Sequence, residues 1–325
     1  MLQFGKSVAA AMVLAAALCA ASWPAAAEDI LVTQYKADPS GAPFAIALAK
    51  GFFKKAGVDV TGVISGAGGG ASVRATMATE FGYGEVSPAG VISAIEQGQD
   101  LRIVDVGSRL LDLDVVVMPN SPIKTIQQLK GRKFGISNPK ALGEMIGVLT
   151  MEKAGLPTTA MQMVSLGSLT GAITALENNV VDATAIPTVL FRLKHGSSKY
   201  RIILGPEGLP HVPPGIGIAT GALMKDHPEK LRALLAARAE AVKYIYQHTD
   251  DAIKILGNLY APLPPDQVAG LVHELIAVKF WSEGNVEMDL LQNTERAMRY
   301  MGMLQKPVDL SKMVNTSYLP GDLQK

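Results

Sequence analysis

Val58-Asp-Val-Thr-Gly-Val-Ile-Ser65, Gly66-Ala-Gly-Gly-Gly-Ala71 and Ser72-Val-Arg-Ala-Thr-Met-Ala-Thr79 follow one another without a break. The first segment is rich in β-branched residues and predicts a strand, the second is a glycine loop, and Ser72 suits the start of a helix reaching about Thr79. The pattern extends in both directions. Upstream, Ile30 to Gln34 (ILVTQ) predicts a strand and Tyr35 to Gly41 (YKADPSG) a polar loop. A helix from about Ala42 to Ala56 follows, with Phe44, Leu48 and Phe52 at helical spacing and Gly57 as its cap. Downstream, Phe81 to Gly84 reads as a third strand, and Pro88 suits the first turn of a helix to about Gly98. Strands alternating with helices specify an α/β fold with a mostly parallel sheet.

The middle of the chain restarts the plan. Thr125 to Gly131 predicts a short helix, Lys133 to Ser137 a strand, and the segment after Pro139 a helix to Ala154. Met163 to Leu166 and Val180 to Ile186 read as strands around a helix from Ser168 to Asn178. At one constant offset Met77 falls on Leu176, Phe81 on Val180, Gly84 on Ala183 and Pro88 on Pro187, which suggests two lobes with equivalent mouths. From about Ala222 the pattern is helical, over Glu229 to Gln247, Asp250 to Tyr260 and Pro265 to Val278. Helices without fresh strands are expected to pack back onto the first lobe. The apolar, extended segments Asp114 to Asn120 and Pro213 to Thr220 are the expected hinge strands. That divides the chain into a first lobe of residues 28–115 and 218–325 and a second of 116–217.

The N-terminus reads as an export signal. Lys6 is the only charge before Glu28, Val8 to Ala21 is continuously apolar, and the small residues Ala25 to Ala27 place the expected cleavage after Ala27. Leu18 before Cys19 departs from lipoprotein signals, so a soluble periplasmic protein is expected. Cleavage would remove Lys6, bringing the balance of 30 basic and 29 acidic residues to neutrality, which argues against nucleic acid as a partner. It would also remove Cys19, the sole cysteine, leaving no disulfide and no thiolate ligand.

Gly51-Phe-Phe-Lys-Lys-Ala-Gly-Val-Asp-Val60 resembles the entry segment of periplasmic solute-binding proteins of the nitrate, sulfonate and taurine type. Ile126-Gln-Gln-Leu-Lys-Gly-Arg-Lys-Phe-Gly-Ile136 is similar to the segment opening their second lobe, and Ala175 to Ala183 to their run into a cleft strand. Gly302-Met-Leu304 and Pro307-Val-Asp-Leu310 extend the likeness over most of the chain. The resemblance implies a type II periplasmic-binding-protein-like fold: two α/β lobes joined by two hinge strands. It further implies a monomeric receptor that hands a small molecule to an ABC permease in the inner membrane. It also touches the thiamine-pyrimidine synthases, enzymes of the same fold. Their cysteine-rich motif is missing here, and the export signal argues against that alternative, while a receptor serving a membrane sensor stays open.

Loops at helix starts offer unpaired N–H groups and a positive dipole end, so the expected site lies beyond the strand ends. Its candidates are Tyr35, Lys36 and Ser40 in the first loop; Gly69, Gly70, Ala71 and Ser72 in the glycine loop; and Glu85 and Ser87 after the third strand. The second lobe offers Ser137, Asn138, Lys140, Ser168 and Pro187. Two lysines among backbone donors favour a small organic sulfonate, carboxylate or nitrate-like anion. Glu85 would repel such a cargo, so it faces solvent, binds an amino group or pairs with a lysine. Gly66 to Ala71 also fits a dinucleotide pattern, but the export signal argues against that reading and no clear acidic residue ends the next strand in the way a ribose contact needs. His195, His211, His227, His248 and His273 lack the spacing of a metal helix, and no G-x-S-x-G elbow occurs, so neither metal, cofactor nor catalytic residue is expected.

Overall fold

A single glycine splits the first expected helix. The computed structural model describes residues 28–110, 113–187, 199–205 and 208–324; the export signal with Cys19 and the cleavage point, and His195, lie outside the described residues. Helix α1 (Ala42–Lys50) stops at Gly51, whose φ of 68° is left-handed, and α2 (Phe52–Ala56) stops at Gly57 with φ of 89°. Both are positions where a side chain would be strained.

The first sheet is built from β1 (Glu28–Thr33), β2 (Val60–Gly66), β3 (Tyr83–Val86), β4 (Leu101–Val106) and β10 (Ile216–Thr220) in the order β2-β1-β3-β10-β4. Strands β1, β2 and β3 are parallel, whereas β10 runs antiparallel to both its neighbours, with Ile218 opposite Gly84 and Ile103. The second sheet contains β5 (Leu113–Val117), β6 (Lys133–Ile136), β7 (Gln162–Ser165), β8 (Ala183–Pro187) and β9 (Arg201–Leu204), ordered β7-β6-β8-β5-β9. Here β5 is the antiparallel strand, paired with β8 and β9. The two orders match strand for strand, with β3 equivalent to β8, which gives the offset of Gly84 onto Ala183 a structural meaning.

The chain crosses between sheets twice, after Val106 and after Leu204. The expected hinge strands are a correction: most of Asp114 to Asn120 is β5, inside the second sheet, and most of Pro213 to Thr220 is β10, inside the first. Their apolar character comes from burial on both faces, not from bridging. The true crossings precede them, and the boundaries expected at 115/116 and 217/218 fall within strands. The crossings run side by side, with the Gly107 N–H donating to the Gly215 carbonyl at 3.1 Å.

Helices sandwich both sheets. On the first, α1 and α2 pack beneath α8 (Pro228–Gln247), α9 (Thr249–Leu259) and α10 (Pro265–Ala277), as expected of the C-terminal helices. Phe44, Phe53, Leu231, Leu234 and Trp281 fill this layer, each large apolar side chain worth about 1.5–3 kcal/mol when buried. The opposite face carries α3 (Gly69–Ala78) and α4 (Pro88–Glu96). The second lobe contributes α5 (Leu142–Lys153) and α6 (Leu169–Glu177). Between α6 and α8 lies the short α7 (Gly221–Asp226). The last helix, α11 (Met288–Tyr300), packs on α4 of the first lobe and also on α5 of the second, so the C-terminal helices do not all belong to one lobe.

Candidate functional site

The carboxyl ends of β1, β2 and β3 face those of β6 and β8 across a cleft. A cavity of about 60 Å³ is enclosed there, lined from the first lobe by Thr33, Gln34, Asp38, Gly68, Gly69 and Ser87. The second lobe supplies Leu113, Ile136, Ser137, Leu142, Leu169, Thr184 and Pro187, among others, and Pro214 of a crossing closes one side. This is where loops gather in open α/β sheets.

The mouth is shut in this structure. The Asn138 side-chain N–H donates to the Gly167 carbonyl of its own lobe at 3.1 Å and to the Ala67 carbonyl of the other at 3.2 Å. Gly69, with φ of 55°, lies so near the second lobe that a Cβ on it would be 2.6 Å from the Pro139 carbonyl oxygen. Ser72 shapes the glycine loop from behind, its buried hydroxyl accepting from the Gly68 N–H at 2.8 Å.

Of the expected site residues, the structure brings Gly69, Ser87, Ser137 and Pro187 together around the cavity. Gly70, Ala71, Asn138 and Lys140 border an adjoining outer depression, and Lys36 a third, beside Tyr260 and Gln267. Tyr35 is packed into the core, and burial pushes its hydroxyl up to about 12. Ser40 turns its hydroxyl toward Ser108 at 3.4 Å, and Ser168 is an ordinary helix cap, accepting from the Gly171 N–H at 2.9 Å. The two lysines therefore do not supply the cavity with positive charge. Among the described residues its only charged lining group is Asp38, in the Tyr35 to Gly41 loop but not among the expected site residues.

Glu85 neither faces solvent nor pairs with a lysine. It is 1% exposed and receives the Nε–H of Arg238, itself 1% exposed, at 2.8 Å. The remaining guanidinium groups donate to the carbonyls of Ser282 and Gly107, both at 2.8 Å. Asp105 lies nearby, accepting from the Tyr83 hydroxyl at 2.9 Å and the Gly217 N–H at 3.2 Å. The guanidinium binds Glu85 directly, and its charge also lowers the cost of the buried Asp105 carboxylate. Burial, opposed by Arg238 and reinforced by Asp105, raises the Glu85 carboxyl to about 7. Arg238 comes from α8, far away in the chain, and no sequence signal marks it as the partner.

Two hydroxyls on the cavity wall, Thr33 Oγ1 and Ser87 Oγ, are buried without any hydrogen-bonding partner. Burying a hydroxyl unpaired costs about 1–3 kcal/mol, so such groups mark positions that a bound molecule satisfies. The lining among the described residues holds no histidine, cysteine or lysine, and no nucleophile–base pair.

Two lobes of equivalent strand order, two crossings and a polar cleft between strand ends define the type II periplasmic-binding-protein-like class. The chain belongs to the NMT1/THI5-like family, whose model matches residues 38–252. It is 22% identical over 314 residues to the riboflavin-binding protein RibY of Chloroflexus aurantiacus, covering 92% of this chain and 88% of the relative. Its fold matches that of the alkanesulfonate-binding protein SsuA from Xanthomonas axonopodis pv. citri with a TM-score of 0.71. That alignment has 16% identity and covers 89% of this chain and 98% of the other. The same architecture also carries an enzyme: the desulfurization enzyme DSZB superposes with a TM-score of 0.60 at 15% identity, over 89% and 97% of the two chains.

Proposed function

We propose that this protein is a periplasmic solute receptor that closes its two lobes over one small molecule and delivers it to an ABC importer in the inner membrane. The observation that carries this reading is the cleft itself: strand ends of both lobes converge on a cavity where Thr33 and Ser87 hold unpartnered hydroxyls. Such a site recognises and releases a solute without needing to transform it. The binding proteins among the similar chains support the reading, as does the export signal read in the sequence. Among the described residues no helix is long and apolar enough to cross a membrane, which is compatible with a receptor that meets its permease from outside. The protein acts as a monomer and without a cofactor.

Titration calorimetry against a broad set of small molecules, followed by mass spectrometry of the recovered ligand, tests this. One-to-one binding with the ligand returned unchanged is expected. Turnover of the bound compound would make the protein an enzyme and contradict the reading.

A further inference from the structure

The cavity has a polarity that its walls define. The described lining carries one formal charge, the Asp38 carboxylate, together with the hydroxyls of Thr33, Ser87, Ser137 and Thr184. Asp38 Oδ1 accepts from the Ser40 N–H at 2.8 Å, which caps a short 3-10 turn at Pro39–Gly41. No ion pair reaches Asp38 among the described residues. The titratable groups that feel its charge are Tyr260 and Glu85; Glu85 is already bound to Arg238, and the buried Tyr260 hydroxyl has no hydrogen-bonding partner among the described residues. Apart from these groups the wall is largely apolar, formed by side chains such as Leu113, Ile136, Leu142 and Leu169.

We infer that the cargo presents a protonated nitrogen or a cluster of N–H donors to Asp38, as an amine, amidine, guanidine or protonated N-heterocycle does, with an apolar body against the leucines. This rests on the receptor reading above and replaces the anion expected from Lys36 and Lys140, which the fold places outside the cavity. An anion there meets a carboxylate with no intervening cation. A cation is attracted there instead, and the hydroxyls of Thr33 and Ser87 can accept its remaining N–H groups. Burial raises the Asp38 carboxyl above the usual aspartate range, so it takes up a proton more readily than an exposed aspartate. A bound cation would pull that value down.

The test is a thermal-shift and calorimetric screen with a charge-balanced panel of small amines, amidines, guanidines, amides, carboxylates, sulfonates and nitrate. Benzamidine, benzamide, benzoate and benzenesulfonate serve as a shape-matched subset. The stabilising compounds are expected to be nitrogen cations or N–H donors. Their affinity should fall as pH drops through the raised pKa of Asp38, and Asp38→Asn should weaken the cations at least tenfold. Asparagine keeps the acceptor for Ser40 N–H, so the turn persists, and comparing the pH profile of Asp38→Asn with the parent separates Asp38 from Glu85. Stabilisation by carboxylates, sulfonates or nitrate, with affinity rising on acidification, would overturn the inference and leave the receptor intact. So would cation binding that Asp38→Asn does not change. Absence of any stabilising compound in the whole panel would contradict the receptor reading and the inference with it.

Discussion

Arg238 on α8 holds the Glu85 carboxylate at 2.8 Å and, through the same guanidinium, the carbonyl of Gly107, the residue with which the chain leaves the first sheet. Gly107 donates its N–H to Gly215 on the returning strand, so one buried side chain fixes the root of both crossings. A Cβ on Gly107 would collide with the Glu85 carboxylate, so the close approach requires glycine there.

Arg238→Met should cost about 3–5 kcal/mol in equilibrium urea unfolding, because it strands a buried carboxylate and two carbonyls. The double variant Arg238→Met with Glu85→Gln should lose less than the sum of the single changes. Strict additivity would mean that the two side chains act independently.

The same cluster sets a pH dependence. An unfolded glutamate titrates near 4.5 and folded Glu85 near about 7, so the folded state binds an extra proton between these values. This contribution to stability is fully present below pH ~4.5 and is lost as pH rises through about 7. Glu85→Gln should abolish that part of the slope when Tm is followed from pH 5 to 8; an unchanged slope would assign it to other groups.

Closure depends on contacts between the two lobes at the mouth. Asn138→Ala removes the hydrogen bond to Ala67 across the cleft, which at about 0.5–1.5 kcal/mol predicts a loss of roughly twofold to tenfold in affinity, mostly through faster release. Gly69→Ala places a methyl against the Pro139 carbonyl and should leave the ligand-soaked protein expanded in small-angle scattering. Wild-type compaction in that variant would show that the lobes close by another geometry.

Thr33→Val tests the unpartnered hydroxyl. Since Oγ1 has no hydrogen-bonding partner among the described residues, the variant should unfold at the same or a slightly higher temperature, while its cargo affinity drops by roughly threefold or more. Loss of stability instead would assign Thr33 a structural role.

Much of the architecture could be read from local pattern. Val58 to Thr79 announced strand, loop and helix, and the offset pairing Gly84 with Ala183 suggested two lobes with equivalent mouths, though not the strand order that the two sheets share. The antiparallel strands β5 and β10 were mistaken for bridges because an apolar run looks alike in a central strand and in a connector. The site was less legible. Glycine and serine at loop positions pointed to Gly69, Ser87 and Ser137, since helix starts and strand ends carry local signals. Charge did not follow the same rule: Lys36 and Lys140 sit in the correct loops but border outer depressions, while Asp38 in one of those loops borders the cavity. Glu85 could not be understood without Arg238, whose approach is a matter of tertiary packing alone.

Ligand-driven closure is the central claim, and a distance measurement across the cleft tests it most directly. Spin labels at Val278→Cys and Val180→Cys, both on exposed positions, can be introduced cleanly into the chain from Glu28 onward, which has no cysteine of its own. Without ligand, double electron–electron resonance should show a broad distribution that includes long, open distances. With a saturating compound from the charge-balanced panel, it should collapse to the single distance of the closed structure. A distribution that saturation leaves unchanged would contradict the account.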